Sequence, residues 1–263
     1  MQNLTQSPVL MAAKARGAVA IHALSKRFRM NGRALTVLNN LDMQIRPGES
    51  IAIVGASGSG KTTLLRVLAG LEEPDAGRVL IDGAPVHGVG TERAVIFQEP
   101  RLLPWRSVID NIAFPLVIAG ETRQAAVHRA RHYLHLVGLA DFAEAFPAQL
   151  SGGMAQRVGI ARALALKPEI LLLDEPFGAL DAMTRIVMQE ELARIWQEEK
   201  LTMILVTHDL EEAVYLADRV LILPREKNSP LREIHIDLPR PRNRSATGFV
   251  ALREALMAEF GLH

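Results

Sequence analysis

The sequence predicts an α/β fold: a mostly parallel sheet with a small antiparallel β layer and a helical insert. Three observations carry this. An apolar run, a glycine-rich loop and an amphipathic helix follow one another in residues 50–71. Short apolar runs return at 170–173, 202–206 and 219–223, separated by helical stretches. Strand–helix–strand alternation of this kind builds parallel sheets. Between the two halves, residues 107–166 are mostly of helical character.

In chain order, 1–18 read as a flexible leader and not a signal peptide, because no basic region is followed directly by an apolar core. The β-branched runs 19–28 and 35–45 predict strands, and "RPGE" at 46–49 a turn. "SIAIVG" at 50–55 is too short for a helix and is stopped by glycine, so it predicts a buried strand. Leu64, Leu65, Val67 and Leu68 then recur at helical spacing. "GRVLIDG" (77–83) and "RAVIFQ" (93–98) predict further strands, the first in the antiparallel layer. The domain reading is therefore a core, first part, over 19–98; a helical subdomain over 99–166; a core, second part, over 167–224; and a short extension over 225–263. The extension's basic run "PRPRNR" (239–244) reads as solvated, with a partner subunit or anionic lipid headgroups as the alternative.

The loop "GASGSGKT" fills the pattern G-x-x-x-x-G-K-[ST] with Gly55, Ala56, Ser57, Gly58, Ser59, Gly60, Lys61 and Thr62. Gly55, Gly58 and Gly60 let the backbone curl until successive N–H groups point inward, and the helix start adds its positive end. Lys61 reaches β- and γ-phosphates, the Thr62 hydroxyl suits Mg²⁺, and Thr63 hydrogen-bonds a nearby phosphate. By itself this loop leaves kinase, GTPase and ATPase open.

Two acids narrow the choice. "ILLLDEPF" (170–177) ends an apolar strand with Asp174 and Glu175. Carboxylates at such a strand end need a cation or hydrogen bonds. In phosphoryl transfer Asp174 would hold Mg²⁺ and Glu175 would align and deprotonate the attacking water. His208 follows another strand in "ILVTHDLEEA", with Asp209 as an N-cap and Glu212 at capping-box spacing. It could bond the γ-phosphate and the water. Finally, "LSGGMAQRVGIARALA" (150–165) sets Ser151 and two glycines at a helix N-terminus, a second anion site without its own lysine.

These motifs, in this order over roughly 19–223, resemble the nucleotide-binding subunit of ATP-binding cassette transporters. The resemblance implies a P-loop NTPase core of that type, ATP and Mg²⁺ as cofactors, and ATP hydrolysis. It implies that Ser151, Gly152 and Gly153 complete the ATP site of a second copy in a head-to-tail dimer. Asp181 of "GALD" would link the two sites. Gln98 would meet Mg²⁺ or the water and sense a transmembrane partner. Phe28 falls where the family stacks an aromatic on adenine; read alone, it is a core or strand-end aromatic. Arg101, Leu102, Leu103 and Trp105 lie where the family meets a permease, and internal packing is the other reading of Trp105.

The stretches "QEPRLLPWRSVIDNIAFPL" and "DLPRPRNR" resemble the nitrate/sulfonate/taurine importer group. They imply multispanning permease subunits, a periplasmic or extracellular solute-binding protein, and a peripheral position on the cytoplasmic face of the inner membrane. An importer of a thiamine precursor shares parts of the pattern.

Composition fits these expectations. Net charge +1 gives no case for nucleic acid, and the absence of cysteine excludes disulfide scaffolds and thiol catalysis. Mean hydropathy is +0.12, yet no stretch of eighteen apolar residues occurs, so at a membrane a partner does the spanning. A soluble cassette ATPase acting on nucleic acid or ribosomes is the rival reading, but one cassette and no long coiled coil speak against it. A small-molecule kinase leaves Ser151–Gly153 and His208 without a shared role, and a binding-only homologue would not need Glu175 and His208. His128, His132 and His135 share a helical face; without acidic or cysteine partners beyond Glu121, they read as a polar face and not a zinc site.

Overall fold

The β-branched runs form two sheets, placed by a computed structural model that describes residues 16–30, 32–226 and 229–260. Among the described residues, β1 (Val19–Met30), β2 (Arg33–Ile45), β4 (Ala76–Ile81) and β5 (Ala84–Pro85) make a four-stranded antiparallel sheet in the order β2-β1-β4-β5. The main sheet has the order β10-β9-β3-β8-β7-β6. Its members are β3 (Ser50–Val54), β6 (Arg93–Ile96), β7 (Ile170–Asp174), β8 (Thr202–Val206), β9 (Arg219–Ile222) and β10 (Arg232–His235). All neighbours pair parallel except β10, which runs antiparallel along the edge of β9.

The central strands are apolar on both faces, as parallel strands covered on both sides must be. Ile51, Ile53, Leu172, Ile204 and Val206 point to one core, shared with α1 (Lys61–Leu68) and the antiparallel sheet. Ala52, Val54, Leu171, Leu173, Met203 and Leu205 point to the other. That second core takes in α2 (Val108–Ile118), α3 (Arg123–Leu136), α4 (Gly152–Ala165) and α5 (Ala182–Glu199). Ile112 and Leu116, Ala126 and Ala130, and Val158 and Ala161 recur at helical spacing and are buried there, which seats α2–α4 on one another. Ser107, Thr122, Ser151 and Asp181 cap α2 to α5 through their side-chain oxygens.

Two expectations are corrected. The predicted leader lies outside the described residues for 1–15, but 16–18 are tied down. Gly17 and Ala18 donate their N–H groups to Asp82, and Arg16 pairs with Glu169 at 2.9 Å. The basic run is not solvated. Helix α6 (Leu210–Leu216) ends with carbonyls that its own turns cannot satisfy, and they attract cations. Arg242, only 7% exposed, donates to the carbonyls of Val214, Tyr215 and Ala217 at 2.6, 3.1 and 2.5 Å, and to Ile236. Arg240 lies over Trp196 and bonds Leu216 O and Asp218. Arg244 lies over Tyr215, its guanidinium carbon 3.6 Å from the ring centroid. Burial, with Arg240 alongside, lowers the Arg242 pKa to about 10. Arg242→Met takes this donor from the carbonyls of Val214 and Ala217, while Tyr215 O keeps its bond from Arg240 at 3.4 Å. It is expected to cost about 2–4 kcal/mol, read as a lower urea midpoint at unchanged slope.

Beyond this run α7 (Thr247–Glu259) packs Phe249 and Leu256 into the second core. The extension is thus part of the body.

Candidate nucleotide site

Parallel strands deliver their C-terminal ends to one edge, and in such sheets that edge is where ligands bind. Ile53 pairs with Val206, Val206 with Asp174, and Leu173 with Ile96. The segments that leave β3, β8, β7 and β6 are therefore neighbours. They carry the loop 55–62, Thr207–His208, Asp174–Glu175 and Gln98 respectively. Four motifs scattered over the sequence meet here because of strand order alone.

The loop has the predicted curl. Gly58 and Gly60 adopt φ of 76° and 105°, in the left-handed region that favours glycine. At Gly55 a Cβ would stand 2.8 Å from Leu223 O and from Ser59 Oγ, so only glycine leaves room. Lys61 is buried and its Nζ donates to Gly55 O at 2.8 Å and Ala56 O at 3.2 Å. Burial lowers its pKa, against the opposing pull of Glu175 and Asp174. Ala56, Ser57, Gly58 and Thr62 are exposed on the open side.

Thr62 Oγ1 donates to Asp174 Oδ1 at 3.2 Å. Burial raises the Asp174 pKa; the Thr62 bond lowers it and Glu175 raises it further. A cation held beside a phosphate would relieve both strained charges at once. The hydroxyl–carboxylate pair, with the inward-facing loop, thus fits a hard divalent cation bound by oxygen ligands. Glu175 takes φ 48°, an uncommon value for a non-glycine residue, and is tied through its N–H to Val206 O at 2.9 Å. Its Oε2 stands 3.1 Å from His208 Nδ1. The His208 side chain is 69% exposed, so its other nitrogen is free to face a ligand. Gln98 is exposed, and its amide nitrogen lies 3.9 Å from the space a Cβ on Gly178 would take.

The remaining predicted residues lie outside these four segments. Ser151 caps α4, its Oγ accepting the Met154 N–H at 3.3 Å; Ser151 and Gly152 are exposed, and a Cβ on Gly153 would meet Leu180 at 3.2 Å. Asp181 caps α5 and is exposed; hydrogen bonds from Thr184 lower its pKa. Phe28 lies on β1 in the other sheet, 38% exposed, with Lys26 Nζ 5.2 Å from its ring centre. A core position for it is ruled out. Trp105 is 71% exposed, which removes the internal-packing reading, while Leu102 and Leu103 are half-buried. Arg101 stacks on Phe97, its guanidinium carbon 4.2 Å from the ring. Two features escaped the sequence reading. Gln156 of α4 donates to Phe97 O at 2.9 Å, pinning the segment before Gln98. Glu212 is buried and its side chain bonds Thr207, whereas the reciprocal half of a capping box would take it to Asp209 N–H. The histidines of α3 form no metal cluster among the described residues.

Comparison with known proteins gives the same picture. A family model described as ABC transporter matches residues 38–178. The chain is 48% identical over 238 residues to the aliphatic sulfonates import ATP-binding protein SsuB 1 of Xanthomonas axonopodis pv. citri, covering 89% of this chain and 92% of that one. It is 46% identical over 216 residues to the nitrate import ATP-binding protein NrtD of Synechocystis sp., covering 81% of each. Among solved structures, the dimeric post-hydrolysis state of the ATP-binding cassette MJ0796 bound to ADP and Pi matches with a TM-score of 0.76 and 31% identity. The match covers 84% of this chain and 100% of that one. A phosphate loop, two acids and a histidine on one sheet edge, together with relatives aligned over most of their length, place this chain in the ABC transporter family as one of its ATP-hydrolysing cassettes.

Proposed function

We propose that this chain energises import of a small anion, of the sulfonate or nitrate class, through separate transmembrane permease subunits. The observation that carries the reading is the shared edge of β3, β8, β7 and β6, which assembles a phosphate cradle, a general base and its histidine. Relatives named as sulfonate and nitrate import ATP-binding proteins, aligned over 92% and 81% of their own length, support the cargo class. No helix among the described residues is long and apolar enough to cross a membrane, so the spanning falls to the permease.

The loop N–H groups and Lys61 hold the β- and γ-phosphates of ATP, Lys61 turning from the Gly55 and Ala56 carbonyls toward them. Thr62, Asp174 and Gln98 would hold Mg²⁺, which would screen phosphate charge. Glu175 accepts the proton of the attacking water. His208 steadies the Glu175 carboxylate from one nitrogen and the γ-phosphate from the other. Phe28 offers its exposed face to adenine. Ser151 and Gly152, both exposed, and the half-buried Gly153 close over the nucleotide of a second copy, and Asp181 links the two sites. ATP favours the closed pair because it touches both copies only there.

Trp105, with Leu102, Leu103 and Arg101, forms the permease contact next to Gln98. An exposed indole of this size is a natural anchor for a partner. Trp105→Ala is expected to reduce recovery of the permease in pull-downs from solubilised membranes. Cells carrying the wild-type chain should take up labelled sulfonate or nitrate in a manner that Glu175→Gln abolishes. Uptake of both solutes unaffected by loss of the chain would refute the cargo class, and pull-downs devoid of any polytopic protein would refute transport.

A further inference from the structure

Next to His208 lies a carboxyl that the chemistry above does not use. Glu212, in the first turn of α6, is 5% exposed. Its Oε2 accepts a hydrogen bond from Thr207 Oγ1 at 2.7 Å. The same hydroxyl oxygen accepts the Asp209 N–H at 3.0 Å, and the Thr207 N–H is bound to Ile53 O of β3. The residues on both sides of His208 are thus fixed to one hydroxyl, whose hydrogen is directed at Glu212.

We propose that Glu212 is a positioning residue for hydrolysis: through Thr207 it holds the 207–209 turn so that His208 Nδ1 stays against Glu175 Oε2. This rests on the roles of Glu175 and His208 given above. Without the acceptor, the Thr207 hydroxyl rotates freely, and the turn loses the side-chain tie between Thr207 and α6 while keeping its main-chain tie to β3 and the Asp209 cap. Small displacements of a group at the reacting centre cost rate and not binding.

The chemistry of the pocket says in which form Glu212 works. Its Oε1 is buried with no hydrogen-bond partner, a situation far less costly for a neutral acid than for an ion. Three charged groups face it: Asp209 at the start of its own helix, Arg185 from α5, and Glu175 from the turn after β7. Burial is the largest influence; the Thr207 hydrogen bond opposes it, Asp209 and Glu175 add to it, and Arg185 opposes it, giving a pKa of about 8 against an ordinary 4.5. Because the folded value lies above the unfolded one, the proton's contribution to stability is complete below pH 4.5 and is lost as pH rises through about 8. A glutamine, uncharged and of the same shape, meets the same need without that dependence.

The test compares Glu212→Ala, Glu212→Gln, Thr207→Val and His208→Ala in the full chain. ATPase kinetics, denaturation across pH 4–8, and the His208 ring signal by NMR are read, the signal being assigned by its loss in His208→Ala. Glu212→Ala and Thr207→Val should each lower kcat about tenfold at unchanged KM for ATP, with no further loss when combined. Both should shift the His208 signal. Glu212→Gln should restore most of the rate and the signal, and flatten the fall in stability between pH 4.5 and 8. Thr207→Val, close to isosteric, carries the test if Glu212→Ala does not fold. Full kcat and an unmoved signal in Thr207→Val would overturn the proposal, as would a folded Glu212→Gln as slow as Glu212→Ala. Full activity in His208→Ala would instead overturn the reading of the site on which the proposal stands.

Discussion

Glu175→Gln is expected to bind ATP and hardly turn it over. Glutamine keeps the shape of the side chain and its place at φ 48° after β7, but it cannot take a proton from water. General-base catalysis is worth about 10²- to 10⁴-fold, so phosphate release should fall by at least about a hundredfold while nucleotide affinity holds. With hydrolysis blocked, the ATP-bound pair accumulates. Size-exclusion chromatography with ATP should show a dimer in the variant that wild type shows only briefly. A wild-type rate of phosphate release would remove Glu175 from its role.

Lys61→Ala is expected to fail earlier, at binding. The Lys61 ammonium is desolvated and held by two loop carbonyls, poised for an anion that compensates its burial. Charge-assisted hydrogen bonds contribute about 1.5–3 kcal/mol each, so the dissociation constant for ATP should rise about ten- to a hundredfold. The rise in melting temperature that ATP confers on wild type should shrink with it. The melting temperature without nucleotide, measured alongside, separates loss of binding from loss of the fold. An unchanged ATP affinity would show that the loop does not hold phosphate through this lysine.

The parts of this molecule that the sequence announces are those set by local rules. The strands at 50–54, 170–174 and 202–206 are short apolar runs with abrupt polar ends, and those ends are where the site stands. The phosphate loop is legible because glycine positions and a lysine have one joint explanation. Burial of the charged residues was not legible. Arg242 sits in a Pro- and Arg-rich run that composition assigns to solvent; its partners are carbonyls at the end of α6, and only the fold brings them within reach. Glu212 matches a capping-box spacing, yet its side chain turns inward to Thr207, because Asp209 N–H is already taken by the Thr207 hydroxyl. Phe28 and Trp105 were ambiguous for a related reason: an aromatic beside a strand end or between prolines packs inward or outward according to neighbours far away in sequence.

The antiparallel strand β10 has a consequence for how the chain reaches its fold. β9 is the edge of the parallel part of the sheet, and β10 pairs with it only after residues 232–235 have left the ribosome. Until then β9 offers a row of unpaired N–H and C=O groups to any other nascent chain, a known route to aggregation. The carbonyl end of α6 waits in the same interval for Arg240 and Arg242. A chain halted just after Ile222 therefore carries every group of the phosphate site and lacks the seal on its own sheet, so translation must run past the chemistry before the product is safe to release.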